Sequence, residues 1–531
     1  MRNLANGHGF VYNAGGEKVE GFTSLLWVLI GAFFYLFTPN PQILLVSVNV
    51  ILLTASIYVI TSWIDRHKKD HQVFSTGSLF FLGLIAVTPG FIDWTILSLL
   101  ETGLWSFLLT LTGILIVSDE EKQSSFRRYA LLATLFILLL LCRPEAMLWI
   151  PVFIVMEAYK NWRMGKPIKR IITLSLPLWA VFLGVLSALT IWRLNYFGYP
   201  LPNTYYAKVS NNRLDNILAG IAYLEKAFLS KPFIFLIALY CLYKISVNTI
   251  KGVQLNTTFV LLNIVMAVTF LLPLYSGGDH FGHQRFIVPT LPLIFIVLIL
   301  SIEDRLIRST SFPVLLLSFV FLSNAYSIKD LMLSHLEGST NIDWSADSGW
   351  KVIWNKPIDS PLKPEWDIVD RGREQAAILN DFFSGIKMPS QGVFMAGAMA
   401  YFYKGETIDL LGLSNVKMAH AKKEKNRWVL KNHASFDKAT FYRQAPDIFW
   451  FGPSTFIDSG MIYKEYIKLD STTFGIGFCQ NIHQEQQFKD TYGFYRISKQ
   501  NFPKHLQIFS TRSFIKKLDS SIYKARELTI E

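Results

Sequence analysis

Residues 43–64 read ILLVSVNVILLTASIYVITSWI and run straight into Asp65-Arg66-His67-Lys68-Lys69. An apolar run of about twenty residues matches the thickness of a bilayer's hydrocarbon core, and a basic cluster at its end marks a cytoplasmic exit. Comparable apolar runs of roughly 13 to 22 residues recur up to residue 326, whereas the remaining part alternates apolar and polar residues as a soluble domain does. The composition agrees: 51% hydrophobic, 15% aromatic and only 17% charged residues over 531 positions, with a mean hydropathy of +0.32. The expected fold is therefore a polytopic α-helical membrane protein with a C-terminal soluble mixed α/β domain. Three parts are expected: an outer-face loop and juxtamembrane helix over 1–42, a transmembrane domain over 43–326 and an extracytoplasmic domain over 327–531.

The net charge of +12 does not point to nucleic acid, because Lys and Arg gather in short loops between apolar runs. Those loops are residues 66–69, 159–170, 244–251 and 305–308, all expected to be cytoplasmic. Spans at 43–64, 73–88, 104–118, 129–141, 146–158, 171–192, 233–250, 255–274, 286–302 and 312–326 satisfy every one, about ten in all. The run 22–38 then cannot cross without inverting every later loop, and is expected as a helix lying on the outer face. Cys142, Cys241 and Cys479 suggest no disulfide framework, and the polar, Gly-rich start carries no cleavable signal.

On this topology the outer loops collect the unusual polar residues. The run Tyr275-Ser276-Gly277-Gly278-Asp279-His280-Phe281-Gly282-His283-Gln284-Arg285-Phe286 compresses glycines, histidines, an acid and a base into one turn. Glycine backbone there permits close ligand approach, Asp279 could handle protons or a metal, and the Arg285 fork matches phosphate oxygens. A hydrated turn in which Asp279 and Arg285 simply pair explains the same residues. Arg143-Pro144-Glu145 lies where two apolar runs meet, and ionisable groups at membrane depth face a partner or a polar cavity; a structural ion pair is the plain alternative. Glu101 is another acid at the edge of an apolar segment. The loop Gly198-Tyr199-Pro200-Leu201-Pro202-Asn203-Thr204-Tyr205-Tyr206-Ala207-Lys208 offers tyrosines to stack on sugar or isoprenoid and a lysine for an anion, or else an ordinary interfacial aromatic belt. Trp344, Trp350, Trp354 and Trp366 could stack on sugar rings or fill a core. Residues 392–397, 407–411 and 447–451 read as short buried strands. No Walker loop, dinucleotide fingerprint, nucleophile elbow or zinc-ligand spacing is present.

Taken in order, Gly7-His8-Gly9-Phe10-Val11-Tyr12-Asn13, Val19-Glu20-Gly21-Phe22-Thr23, Leu99-Leu100-Glu101-Thr102, Arg143-Pro144-Glu145, Pro202-Asn203-Thr204-Tyr205-Tyr206-Ala207-Lys208 and Gly277-Gly278-Asp279 through Arg285-Phe286 resemble the terminal arabinofuranosyltransferases of mycobacteria and their bacterial relatives. Ala396-Gly397-Ala398-Met399-Ala400-Tyr401 and Ile408-Asp409-Leu410-Leu411-Gly412-Leu413 extend the likeness over nearly the whole chain. The resemblance implies a membrane glycosyltransferase C-type fold in the bacterial cytoplasmic membrane, a polyprenyl-phosphate sugar as donor and an extracytoplasmic glycan as acceptor. Sugar transfer needs a proton acceptor at the attacking hydroxyl and cations at the leaving phosphate. Asp279 is the candidate for the first role, with Glu20 and Glu101 as competitors. Lys208, Arg285 and Arg143 are candidates for the second, and Asn203, Tyr205, Tyr206, His280 and Glu145 for substrate binding. Whether a divalent metal ion assists Asp279 stays open.

Members of that family carry a first span and an acidic outer-loop residue, often an Asp pair, ahead of the segment matching Arg2-Asn3-Leu4-Ala5-Asn6-Gly7. The chain is therefore expected to be truncated, as an eleven-span enzyme lacking its first helix. Competing functions are an oligosaccharide ligase that transfers a whole chain, and an inactive glycan-binding or assembly protein. A transporter is disfavoured by the lack of an internal repeat or paired broken spans.

Overall fold

The computed structural model describes residues 1–68, 75–118, 125–210, 212–279, 284–302, 304–307, 309, 311–325, 362–421, 435–449, 456–458, 466–467 and 479–530. The chain is mostly helical, and its described residues fall into two compact units.

The first unit comprises Met1–Arg2, Thr23–Trp192 and Leu214–Lys363. Four helices are long and apolar enough to cross a membrane: Gln42–His67, Ile168–Phe197, Pro232–Ile250 and Thr257–Ser276. Helix Thr76–Ala86 continues into Gly90–Leu97 after a 77° bend, so the pair is a broken span or a re-entrant loop. Each expected crossing segment is helical over its described residues, but Thr102–Val117, Val288–Ser301 and Ser311–Ser323 are shorter apolar helices. A short helix still belongs to the core when its whole circumference is covered, as in Leu291–Ser301, where every residue but Leu300 is buried. The run expected to lie on the outer face forms helix Leu25–Tyr35, started by the Ser24 hydroxyl accepting from the Trp27 amide. Trp27 is buried in the helical core and its indole N–H donates to the Leu99 carbonyl at 2.9 Å.

The second unit comprises Asn3–Phe22, Arg193–Arg213 and Pro364–Glu531. Its sheet is built from β1 (Gln391–Val393), β2 (Thr407–Asp409), β3 (Ile448–Phe449), β4 (Phe456–Asp458), β5 (Tyr466–Ile467), β6 (Tyr492–Lys499), β7 (Lys504–Thr511) and β8 (Tyr523–Ile530). The order is β2-β1-β3-β7-β6-β8-β5, with β4 also paired to β7. β1 runs parallel to β2 and β3, while β6 lies between β7 and β8 and runs antiparallel to both. Alternation along the strands feeds two apolar layers. Phe449, Phe494 and Phe509 enter one, and Ile448, Tyr495 and Ile508 enter the other, where helix Lys363–Phe382 contributes Leu379 and Phe382.

The two compact units do not follow the expected boundaries 1–42, 43–326 and 327–531. Residues 3–22 and 193–213 belong with the C-terminal sheet because side chains tie them to it. The Asn13 amide both accepts from the Thr407 N–H at 3.0 Å and donates to its carbonyl at 2.8 Å. Asn203 Nδ2 donates to the Gly412 and Leu413 carbonyls at 2.8 and 3.0 Å.

Candidate functional site

Within the first unit five of the expected residues form a buried electrostatic chain. Pro144 stops helix Ser125–Cys142 and helix Ala146–Arg163 starts just beyond it, so the connecting turn points Arg143 and Glu145 toward each other. Arg143 Nε and Nη2 donate to the two Glu145 oxygens at 3.1 and 2.7 Å, and Nη1 donates to Glu101 Oε1 at 2.5 Å. Glu101 stands at the start of helix Thr102–Val117. Glu145 also interacts electrostatically with Arg285, and Arg285 Nε donates to Asp279 Oδ2 at 3.0 Å. The Arg285 guanidinium lies 5.8 Å from the ring centroid of Trp94, in the π-helical turn Asp93–Leu97, within reach of a cation–π attraction.

Two consequences follow. Arg143 has each of its three guanidinium nitrogens on a carboxylate, so in this arrangement it is the counter-ion of Glu101 and Glu145. Glu101 and Glu145 are likewise committed to Arg143. Asp279 differs: its side chain is 3% exposed, one oxygen meets Arg285, and Oδ1 is buried with no hydrogen-bond partner among the described residues. Gln284 Oε1 is in the same condition, on a residue at φ 51°. An unsatisfied buried acceptor is costly unless something donates to it.

Two of the loop's glycines meet a local structural demand. Gly277 caps helix Thr257–Ser276 in the left-handed region at φ 77°. Gly278, at φ 68°, has the Tyr223 ring where its Cβ would be, only 2.4 Å away. The Tyr223 hydroxyl accepts from the Phe286 N–H at 3.1 Å, so this tyrosine staples both ends of the loop. His280 lies outside the described residues, as do Trp344, Trp350 and Trp354. Trp366 is on helix Lys363–Phe382 and 43% exposed.

The other expected residues belong to the second unit. Glu20 is 2% exposed and receives Arg193 bidentately, Nε to Oε2 at 2.9 Å and Nη2 to Oε1 at 3.0 Å. Burial pushes its carboxyl above the ordinary glutamate range, against the pull of Arg193. Helix Asn203–Lys208 carries the remaining candidates. Asn203 Nδ2 holds the loop after β2, and its Oδ1 is buried with no hydrogen-bond partner among the described residues. Tyr206 and Tyr199 pack on the His420 ring at 4.1 and 4.0 Å between centroids, while Tyr205 is 40% exposed. Lys208 closes the helix, half-buried.

Asp409 organises that loop. Its Oδ1 accepts from the Leu411 and Gly412 amides at 2.9 and 3.1 Å and its Oδ2 from Ser414 at 2.7 Å. Burial nevertheless lifts its carboxyl from an ordinary 3.8 to about 6. Tyr223, Trp94, Arg193 and Asp409 were not expected as site-forming residues. Arg193, a lone cation at the end of an apolar run, carried a readable signal, as did Asp409 within its motif. Among the described residues no group of three His, Cys, Asp or Glu side chains is placed to hold a metal ion. Comparison of the chain with protein-family models, curated proteins and solved structures finds no match.

Proposed function

We propose that the chain is a membrane glycosyltransferase that moves a sugar from a polyprenyl-phosphate donor to an extracytoplasmic glycan, in a C-type fold of about ten spans in the bacterial cytoplasmic membrane. The observation that carries the reading is the unpartnered Oδ1 of buried Asp279, held beside Arg285 at the end of a membrane-compatible helix. In this reading the acceptor hydroxyl oxygen attacks the anomeric carbon, its proton passes to Asp279, and the bond from that carbon to the phosphate oxygen breaks. The phosphate leaves on its polyprenyl chain and takes up the developing negative charge. Arg285 is the cation beside Asp279 that meets this charge. Glu101, Arg143 and Glu145 hold the loop's electrostatic surroundings in place.

The test is sugar transfer by the purified full chain in proteoliposomes, from a panel of polyprenyl-phosphate pentoses and hexoses to oligosaccharide acceptors. Transfer from at least one donor is expected, and Asp279→Asn should lower it by about 10²- to 10⁴-fold. Transfer that survives Asp279→Asn undiminished would remove Asp279 from the mechanism, and no transfer from any donor would sink the enzyme reading.

A further inference from the structure

Helix Arg213–Ser230 falls in a stretch expected as an outer loop, yet it is a long amphipathic helix with an unusual division of its surface. Asn216, Gly220, Tyr223 and Ala227 are buried along one side. Leu214, Ile217, Leu218, Ile221 and Phe228 are 60, 45, 47, 51 and 41% exposed. At about 100° per residue those five occupy an arc of about 100°, roughly opposite the buried stripe. Arg213, Asp215 and Lys226 flank the arc, and Glu225 is the one charge upon it.

What should cover such a face is indicated by what it joins. The Phe228 ring packs on Phe235 of helix Pro232–Ile250 at 5.1 Å, and Phe235 packs on Phe270 of helix Thr257–Ser276 at 5.0 Å. Both partner helices are among those long and apolar enough to cross a membrane. Beyond that aromatic row they expose Leu236, Leu239, Leu242 and Leu271. The stripe is thus continuous with the exposed apolar surface of two membrane-compatible helices.

We propose that helix Arg213–Ser230 lies on the bilayer surface with this stripe in the acyl-chain region. Its buried side holds the charged loop directly. Gly220 sits so close to the chain at Pro273 and Leu274 that a Cβ would meet the Pro273 carbonyl oxygen at 2.4 Å, and Tyr223 fills the space beside Gly278. The lipid surface therefore sets the level of the Asp279 loop, at headgroup depth, where the phosphate of a lipid-linked molecule resides. The inference rests on the membrane character of the chain and not on catalysis, so an absence of sugar transfer leaves it standing.

Site-directed spin labelling of the full chain in phosphatidylethanolamine–phosphatidylglycerol liposomes tests it. The native Cys142, Cys241 and Cys479 are buried, which directs the label to an introduced thiol. At Leu218→Cys and Ile221→Cys, collisions with oxygen should exceed those with a nickel chelate, and the order should reverse at Lys226→Cys. Nickel-chelate collisions dominating at 218 and 221 would place the stripe in water. Low collision rates with both reagents there would mean that protein covers it. Either result overturns the proposal.

Discussion

Arg143 shows how an ionisable residue in an apolar setting is held. Its three nitrogens meet Glu101 and Glu145, so the charge is neutralised where it stands. Arg143→Gln would strip two buried carboxylates of the guanidinium they are hydrogen-bonded to, a change that destabilises by about 3–5 kcal/mol. Thermal melting of the detergent-purified chain should register the loss. Arg143→Lys should recover only part of it, because one ammonium cannot match a guanidinium fork on two carboxylates. A melting temperature unchanged by both substitutions would show the triad to be incidental. From sequence the triad was readable as an alternative to phosphate binding, since acids and a base at membrane depth demand partners. Which partners could not be read, because Glu101 comes from a separate helix. For Asp279 and Arg285 both readings survive together: they pair, and yet one carboxylate oxygen stays unused.

Among the elements, apolar run length made the helices legible, and the breaks fell where polar or proline residues interrupt them. The 77° bend after Ala86 was not legible, because a re-entrant segment and a straight span share one composition. Strands β1 to β3 were signalled by short apolar runs between turn residues. Strands β6 to β8 were missed although they are the longest, because both faces of the sheet are covered. Tyr492-Gly493-Phe494-Tyr495-Arg496-Ile497 sends Phe494 to one apolar layer and Tyr495 and Ile497 to the other, which blurs a period of two. The contact of Tyr223 with Gly278 joins two elements and lends itself to a paired test. Gly278→Ala puts a methyl against the ring at a positive φ and should destabilise by about 1–3 kcal/mol. Combining it with Tyr223→Ala should remove part of that penalty in a double-mutant cycle. Strict additivity in thermal melting would contradict the close packing.

Across the whole molecule, the motifs that carried the family resemblance divide between two tasks. Asn13, Glu20, Asn203 and Asp409 knit the second unit, while Glu101, Arg143, Glu145, Asp279 and Arg285 form the charged chain of the first. Ion pairing at Arg143-Pro144-Glu145 and between Asp279 and Arg285 was anticipated as an alternative and the knitting of the second unit was not, since short polar motifs advertise chemistry and structural knotting equally well. Asp409 makes the knot sensitive to pH. A carboxyl whose folded pKa lies above its ordinary value binds its proton more tightly folded than unfolded. Its contribution is therefore full below about pH 4 and is lost as the pH rises through about 6. The melting temperature of the full chain should contain a component that falls across that window and is missing in Asp409→Asn; equal slopes for the two proteins would remove Asp409 as its source.

The most direct test of the central claim is a structure of the full chain with a polyprenyl-phosphate sugar bound. The phosphate is expected against the Arg285 guanidinium, the anomeric carbon facing Asp279 Oδ1, and the isoprenoid leading away over helix Arg213–Ser230. A phosphate bound away from Arg285, with Asp279 remote from the sugar, would contradict it.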